Sequence, residues 1–486
     1  MSRAGSLALR GVLAIGLMIG FYTLAVAVAW GLVYIPYAEF VYFNRIDFRI
    51  AIFCIMGAGL VLWSIVPRPD RFQAPGPELQ ASQQPELFQL IDKVREATGQ
   101  SAPKNVYLIP EVNAWVAQRG GLMGIGSRRV MGLGLPLMQA LTVDQLRAVL
   151  AHEFGHYHGG DTMLGPWIQK TRMGLLRTVV TLSGSWIRLP FTAYAKMFFR
   201  TTNAVSRHQE FAADALAARV VGPQALAEGL KQIHRAAAAF GQFWRDEYAP
   251  VLLYKVRPPL GAGFSRFMQH KQVAAGTESA LQDELATAKV NPYDSHPPLP
   301  ERCAALARFE PERGIRDSRV SVALLSGLPE LEADLLGIAV NPRLKEARQV
   351  AWGEVPQLVW HPIWTNQVKE QHRALKDATV ADAARLCKDP QNVARQILFP
   401  PGYLPDMNQR LGQACHVVAT AVAVALVDAG WRLSGDLGDP IMCTRGEDAI
   451  EPFDLPNKFL SGEITPEAWR ESCDRLNVSA LRLVPS

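Results

Sequence analysis

At 486 residues the chain exceeds one compact domain, for which roughly 100 to 200 residues is usual, so two or three units are expected. A hydrophobic share of 49% beside 20% charged residues excludes a mainly disordered chain and fits a folded protein carrying a membrane segment. The net charge of +5 is spread over the whole length with no dense basic run, so no nucleic-acid partner is expected.

Gly11 to Tyr34 reads GVLAIGLMIGFYTLAVAVAWGLVY without a charge, long enough to span a hydrocarbon core of about 30 Å as a helix. Its continuation through Trp30, Tyr34 and Tyr37 resembles an interfacial aromatic belt and not the cleavage site of a signal peptide. Ile50 to Val66 is a second apolar run, ended by Pro67-Arg68-Pro69-Asp70-Arg71. Residues 1–71 therefore read as a transmembrane hairpin with spans at about 11–34 and 50–66, both ends on one side. Arg3, Arg10, Arg68 and Arg71 outside the hairpin, against Arg45 and Arg49 within it, favour a cytoplasmic main body by a small margin.

Residues 72–84, mostly the polar, proline-rich stretch PGPELQASQQP, read as a linker. Glu86 to Thr98 places Leu87, Leu90, Ile91 and Val94 at helical spacing; Asn105–Ile109, Val112–Ala117 and Arg129–Leu133 read as short strands. Gly124-Ile-Gly126 lacks the third glycine and following helix of a dinucleotide site and reads as a turn. At Thr142 a T-x-x-Q capping box with Gln145 starts a helix, with Leu146, Val149 and Leu150 on its apolar face and Gly159-Gly160 as its end.

That helix carries His152-Glu-Phe-Gly-His156. Histidines at i and i+4 stand one above the other, with Cβ atoms about 5 to 6 Å apart, and can share one tetrahedral zinc ion. Glu153 projects beside them, where a carboxylate can take a proton from a water that zinc has acidified to a pKa of about 7. Coincidence on an ordinary helix is the alternative for the pentapeptide alone. A catalytic zinc needs a third protein ligand, and Ser206–Val220 (SRHQEFAADALAARV) reads as a helix opened by a second capping box, Ser206 to Gln209. Glu210 and Asp214 lie i, i+4 on a face among Phe211, Ala212, Ala213 and Leu216. Glu210 would complete the metal site, and Asp214 would accept the free ring N–H of a ligand histidine; two solvated carboxylates are the plainer reading.

These motifs, with Asn113-Ala114-Trp115 before them and Ser295-His296-Pro297-Pro298 and Arg302 after them, resemble the integral-membrane zinc peptidases that include the heat-shock protease HtpX and the CAAX prenyl protease. The match spans about residues 10 to 310. The resemblance implies a zincin-like, mostly helical domain with a small sheet over residues 85–313. It also implies one Zn2+ per chain on His152, His156 and Glu210, a peptide paired along Asn113, Ala114 and Trp115, and a His296 near the active site that either stabilises an oxyanion or simply turns the chain. Residues 161–200 depart from the family pattern. Lys170, Arg172, Arg177, Arg188 and Lys196 interrupt them too often for a span, so they read as interfacial helices on the membrane, as a roof over the cleft, or as ordinary core packing. His158 and His208, at i+2 and i−2 from ligands, point away from the metal face. His234, His270, His361, His372 and His416 form no ligand spacing.

Residues 314–486 read as a C-terminal α+β extension. Helices are expected at Val380–Leu386, Leu411–Val427 and Thr465–Leu476, and short hairpins at Gly430–Phe453. The Ala/Val run Ala414–Val427 reads as a core helix and not a span. The six cysteines share no C-x-x-C spacing and read as isolated thiols. The whole is an α+β protein of transmembrane hairpin, metallopeptidase domain and extension. The expected function is a membrane-anchored zinc endopeptidase acting on peptide or protein substrates at the bilayer. It would be a multi-pass protein of a bacterial inner membrane with its catalytic domain in the cytoplasm, and a protein partner could bind the C-terminal domain. The competing reading is a zinc-containing membrane scaffold without proteolysis, against which Glu153 argues, since a structural site has no use for it. A small-molecule zinc amidohydrolase is disfavoured by the peptide-pairing strand.

Overall fold

In a computed structural model the described residues are all except 1–2, 67, 69, 122–125, 158–164, 312–315, 400–404, 436 and 485–486. Gly124-Ile125, His158 and Gly159-Gly160 fall outside them. Helix α1 runs Arg3–Phe43 and α2 runs Phe48–Ile65. With 41 residues α1 rises about 60 Å, past the end of the span expected at Tyr34. Asn44 takes a left-handed φ of 49° to turn the chain, and the Asp47 carboxylate caps α2 by accepting from the backbone N–H of Arg49 at 2.8 Å. Both helices are long and apolar enough to cross a membrane. They pack through Phe21, Ala25, Ala29, Cys54, Ala58 and Val61, small side chains admitting close approach, while Val26, Trp30, Ile52, Ile55 and Trp63 stay exposed.

The stretch read as a linker contributes strand β1, Glu78–Leu79. It pairs antiparallel with β2, Asn105–Ile109, because Gly76 presses its backbone against the Leu108 carbonyl, where a β-carbon would collide. Between them runs α3, Pro85–Thr98, with Leu87, Leu90, Ile91 and Val94 buried. Strand β3, Ala114–Arg119, and β4, Arg128–Gly134, complete a sheet of order β1-β2-β4-β3. β2 and β4 are parallel and β3 is antiparallel to β4, which leaves β3 at an edge.

Next come α4, Leu135–Ala140, and α5, Val143–Gly155, whose Thr142–Gln145 capping box is formed in both directions. Helices α6, Gly165–Thr181, α7, Arg188–Val220, and α8, Pro223–Gln242, follow. The helix start expected at Ser206 is overturned. α7 runs through it unbroken, and the Ser206 hydroxyl donates back to the Thr202 carbonyl at 3.3 Å, the bond a mid-helix serine makes when it is not a cap. α6 and the first half of α7 do not stand apart as a separate interfacial layer. They pack lengthwise on α1 and α2 through Leu175, Leu182, Phe191, Ala195 and Phe198. The Ser64 and Thr178 hydroxyls are bonded at 2.9 Å and the Tyr194 hydroxyl donates to the Leu17 carbonyl at 2.6 Å.

The described chain divides into two compact units, Met1–Ala238 with Gly276–Pro342, and Ala239–Ala275 with Arg343–Ser486. Residues 239–275 thus group with the C-terminal part and not with the stretch 85–313 in which the sequence placed them. The second unit is built on the helix Met407–Asp428. That helix is long and apolar enough to cross a membrane, yet its Val417, Val418, Ala421, Val422 and Val424 are buried in the unit's core with Trp364, Trp431, Phe459 and Trp469, as the core reading expects. An antiparallel meander of Arg432–Ser434, Met442–Arg445 and Asp448–Ile450 lies beside it. With small sheets among many helices, the fold is α+β and mostly helical.

Candidate metal centre and cleft

The site begins with a glycine. A β-carbon on Gly155 of α5 would lie 2.9 Å from Ala213 Cα and 3.0 Å from Ala213 Cβ on α7, closer than carbons pack. The small pair lets the two helices touch backbone to backbone and brings Glu210 and Asp214 under the histidines. The His152 and His156 rings stand with centroids 4.8 Å apart, edge to face. Nε2 of His152 is 3.5 Å from Glu210 Oε2, and Nε2 of His156 is 3.5 Å from Glu210 Oε1. One ligand atom from each of these three residues lies within 4.8 Å of the others.

Behind this cluster Asp214 Oδ1 is 2.8 Å from Nδ1 of His152. Arg302, on the helix Leu299–Leu306, grips Asp214 with a fork of two bonds, Nε to Oδ2 at 2.8 Å and Nη2 to Oδ1 at 2.6 Å. Its Nη1 stands 3.6 Å from Glu210 Oε2. Sequence reasoning places Arg302 only within a motif and gives it no partner. The signal is its spacing after Ser295-His296-Pro297, but its bond to Asp214 crosses 88 residues and no local rule reaches that far. His296 brings Nδ1 to 3.2 Å from Glu210 Oε2 and is otherwise exposed. His208 is exposed, away from the cluster as expected.

Electrostatics follow from this crowding. Burial disfavours charge on Glu210, but His152 and His296 hold its carboxyl far below the usual carboxylate range. Burial likewise opposes Asp214, and Arg302 and His152 outweigh it downward. Glu153 is pushed up by burial to about 7, with His152 opposing. Burial would lower His152, yet Asp214 and Glu210 raise it to about 9, while burial and then the His152 charge push His156 down to about 4. Buried negative charge on Glu210 and Asp214 is thus balanced by Arg302 and one imidazolium. Glu210 Oε2 makes no well-aligned hydrogen bond among the described residues, but His296 Nδ1, His152 Nε2 and Arg302 Nη1 surround it at 3.2, 3.5 and 3.6 Å. Two imidazoles and a carboxylate form the donor set of a catalytic zinc site, and a divalent cation there would take over the charge balance from the imidazolium. The residues fit a zinc ion.

The cluster opens into a cavity of about 610 Å³ lined also by Asn113, Ala114 and Trp115, by Glu153, and by Leu226, Leu230 and Ile233 of α8. His234, which has no ligand spacing in sequence, joins this lining with Nδ1 2.9 Å from Glu284 Oε2. Asn113 stands just before β3, and its carbonyl accepts from Gly134 N–H at 2.8 Å. Its N–H donates instead to the Glu111 carbonyl at 2.9 Å; by strand alternation the Asn113 carbonyl and the Trp115 backbone groups turn to β4, while the backbone groups of Ala114 and Val116 face the open edge. There the Tyr157 hydroxyl donates to the Val116 carbonyl at 2.8 Å. Ala114 N–H and C=O are left at the edge bordering the cavity. Gly132 makes room for the Trp115 indole across the sheet, since a β-carbon would overlap the ring.

Residues 81–310 match the model of peptidase family M48. Similar proteins include "Protease HtpX" of Hahella chejuensis, 24% identical over 247 residues, covering 45% of this chain and 71% of the relative. "Protease HtpX homolog" of Pyrococcus abyssi is 25% identical over 251 residues, covering 48% and 75%. "Protease HtpX" of Cellvibrio japonicus is 26% identical over 227 residues, covering 45% and 70%. No solved structure matches this chain.

Proposed function

We propose that this chain, whose residues 81–310 match the model of peptidase family M48 and which is similar to HtpX proteases, is a membrane-anchored, zinc-dependent endopeptidase. His152, His156 and Glu210 hold one zinc per chain. The observation that carries this reading is the convergence of their three ligand atoms on one cavity. Zinc, when bound, supplies Lewis acidity to a water and a carbonyl.

The chain's own residues carry the rest. Glu153 accepts the proton of the attacking water at its carboxylate and delivers it to the leaving amine, the two transfers asked of a general base and acid. Asp214 fixes the His152 tautomer by holding Nδ1–H, and Arg302 holds Asp214, the kind of support that orients a ligand histidine. His296 stands beside Glu210 with its side chain open to the cavity and would donate to the oxyanion of the tetrahedral intermediate. An extended peptide adds to the edge of β3 at Ala114, with Asn113 and Trp115 flanking it; backbone bonds give affinity and the apolar wall of Leu226, Leu230 and Ile233 accepts a side chain. Substrates are peptide segments of membrane or membrane-proximal proteins, since α1 and α2 belong to the same unit as the site. The protein would be multi-pass in a bacterial inner membrane with the site in the cytoplasm, an orientation that reporter fusions at the two ends of α1 would reverse if wrong.

The deciding experiment is Glu153→Gln, which keeps size and hydrogen-bonding reach but cannot take the proton. We expect normal zinc content with cleavage of an unfolded protein reduced about 10²- to 10⁴-fold. Equal, chelator-sensitive cleavage by both proteins would remove Glu153 from the base role. Cleavage by neither would favour the scaffold reading.

A further inference from the structure

The second unit holds a cavity that the peptidase reading does not use. It measures about 310 Å³ and its walls include Trp352, Trp360, Trp364 and Phe453, with His416 beside them and Glu247 among its polar residues. The volume falls at the low end of small-molecule sites, which run roughly 300 to 1,000 Å³. Three of the rings adjoin one another: Trp364 and Phe453 lie 5.0 Å apart and His416 and Phe453 5.5 Å apart. The Trp352 indole N–H is committed to the Pro259 carbonyl at 2.9 Å.

The polar groups are unequal. Asp246 is paired with Arg245 and Asp439 with His270, each at 2.8 Å. Glu247 has no such partner among the described residues. Burial and then the neighbouring Asp246 push its pKa up, with no cation opposing them. The environment of His416 lowers its pKa. Aromatic faces attract cations through their quadrupoles, and a half-buried carboxylate without a partner calls for one. A primary ammonium carries three N–H donors needing acceptors, but among the described residues only one carboxylate lining the cavity is uncommitted. A methylated ammonium donates no hydrogen bonds and presents a sphere of positive methyl groups to the rings.

We propose that this cavity binds a quaternary ammonium group, held against Trp360, Trp364 and Phe453 with Glu247 as counter-ion. The group could come from a free choline-type solute or from a choline lipid headgroup, and the chemistry is the same for both.

The test uses the full chain in maltoside micelles, titrated calorimetrically with choline, with its uncharged isostere 3,3-dimethyl-1-butanol and with butylammonium. Choline should bind at least tenfold more tightly than either comparator. Glu247→Gln, which keeps the shape of the wall, should weaken choline about tenfold or more. Trp360→Ala, at a half-buried position on the margin of the unit's core, should weaken it about 3- to 30-fold with the chain still folded by circular dichroism, as the loss of a partly desolvated cation–π contact implies. Isostere or butylammonium binding equal to choline, or unchanged affinity in Glu247→Gln, would overturn the proposal. Nanodiscs then separate the sources. Choline binding seen in phosphatidylglycerol discs and blocked in phosphatidylcholine discs assigns the site to a lipid headgroup, and binding in both assigns it to a free solute. No binding in micelles or in either disc would refute it.

Discussion

Replacing Gly155 by alanine tests the idea that helix contact builds the metal site. The added β-carbon would stand 2.9 Å from Ala213 Cα, where carbons settle at about 3.5 to 4.0 Å, so α5 and α7 must part by roughly 0.6 to 1 Å. Overpacking of this kind costs about 1 to 3 kcal/mol. Alanine returns up to about 1 kcal/mol through helix propensity, less at the last residue of a helix, which leaves a net loss of about 1 to 2 kcal/mol. The larger effect falls on the metal. His152 and His156 ride on α5 and Glu210 on α7, and zinc sites tolerate only about ±0.2 Å in ligand distance. We expect zinc affinity to fall at least tenfold and kcat/KM about 10²-fold, the penalty of an approximately 1 Å misplacement, with only a few degrees lost in Tm. A competing chromophoric chelator reads the first, a quenched peptide substrate the second, and circular dichroism the third. Adding Ala213→Gly removes the methyl group that lies 3.0 Å from the new β-carbon but leaves the backbone carbon at 2.9 Å in place, so it should restore affinity in part. A Gly155→Ala protein with wild-type zinc affinity and turnover would refute the reasoning.

Asp214→Asn should weaken zinc 10- to 100-fold through the loss of an oriented His152. It should also lower stability by about 3 kcal/mol, because the buried Arg302 guanidinium loses its carboxylate; unchanged zinc affinity together with unchanged Tm would dismiss both roles. Tyr157→Phe frees the Val116 carbonyl on the β3 edge, and with a hydrogen bond worth about 1 kcal/mol the KM for long peptides should fall two- to fivefold at constant kcat. A KM that does not move with peptide length would mean that no substrate reaches Val116. Glu210→Ala should abolish stoichiometric zinc, as atomic absorption of the purified protein would read, and undiminished metal would remove Glu210 from the ligand set.

Much of this arrangement is legible locally. The Thr142 capping box, the three main strands and the Leu87-Leu90-Ile91-Val94 stripe are set by neighbours within a few residues, and the structure returns the strands and α3 within one or two positions of their expected ends, while the helix capped by Thr142 starts as expected but stops at Gly155, short of the glycine pair expected to end it. The grouping of His152, His156 and Glu210 is legible because helical spacing and zinc chemistry each restrict the choices. What sequence could not show depends on distant partners. Ser206 carries a capping pattern, but tertiary packing of Phe191 and Phe198 on the hairpin holds the helix continuous through it. Glu78 and Leu79 have linker composition and become a strand only because β2 offers an unpaired edge. Gly155 has the look of a neutral spacer in the metal motif, and only the fold sets Ala213 against it.

Helix α7 joins two environments without a joint. Phe198 sits in the apolar cluster with α1 and α2, and Glu210, 12 positions later on the same unbroken helix, reaches the histidines about 18 Å further on. Such a rod acts as a lever: a tilt of only about 5° at the membrane end carries Glu210 sideways by about 1.6 Å over that length. With α1 and α2 in a bilayer as proposed, its thickness, which tilts helices to match their apolar length, would become an input to the geometry of the proposed metal centre. Turnover in vesicles of graded acyl-chain length should pass through a maximum, and a flat profile across the series would show that the lever is not coupled to the lipid.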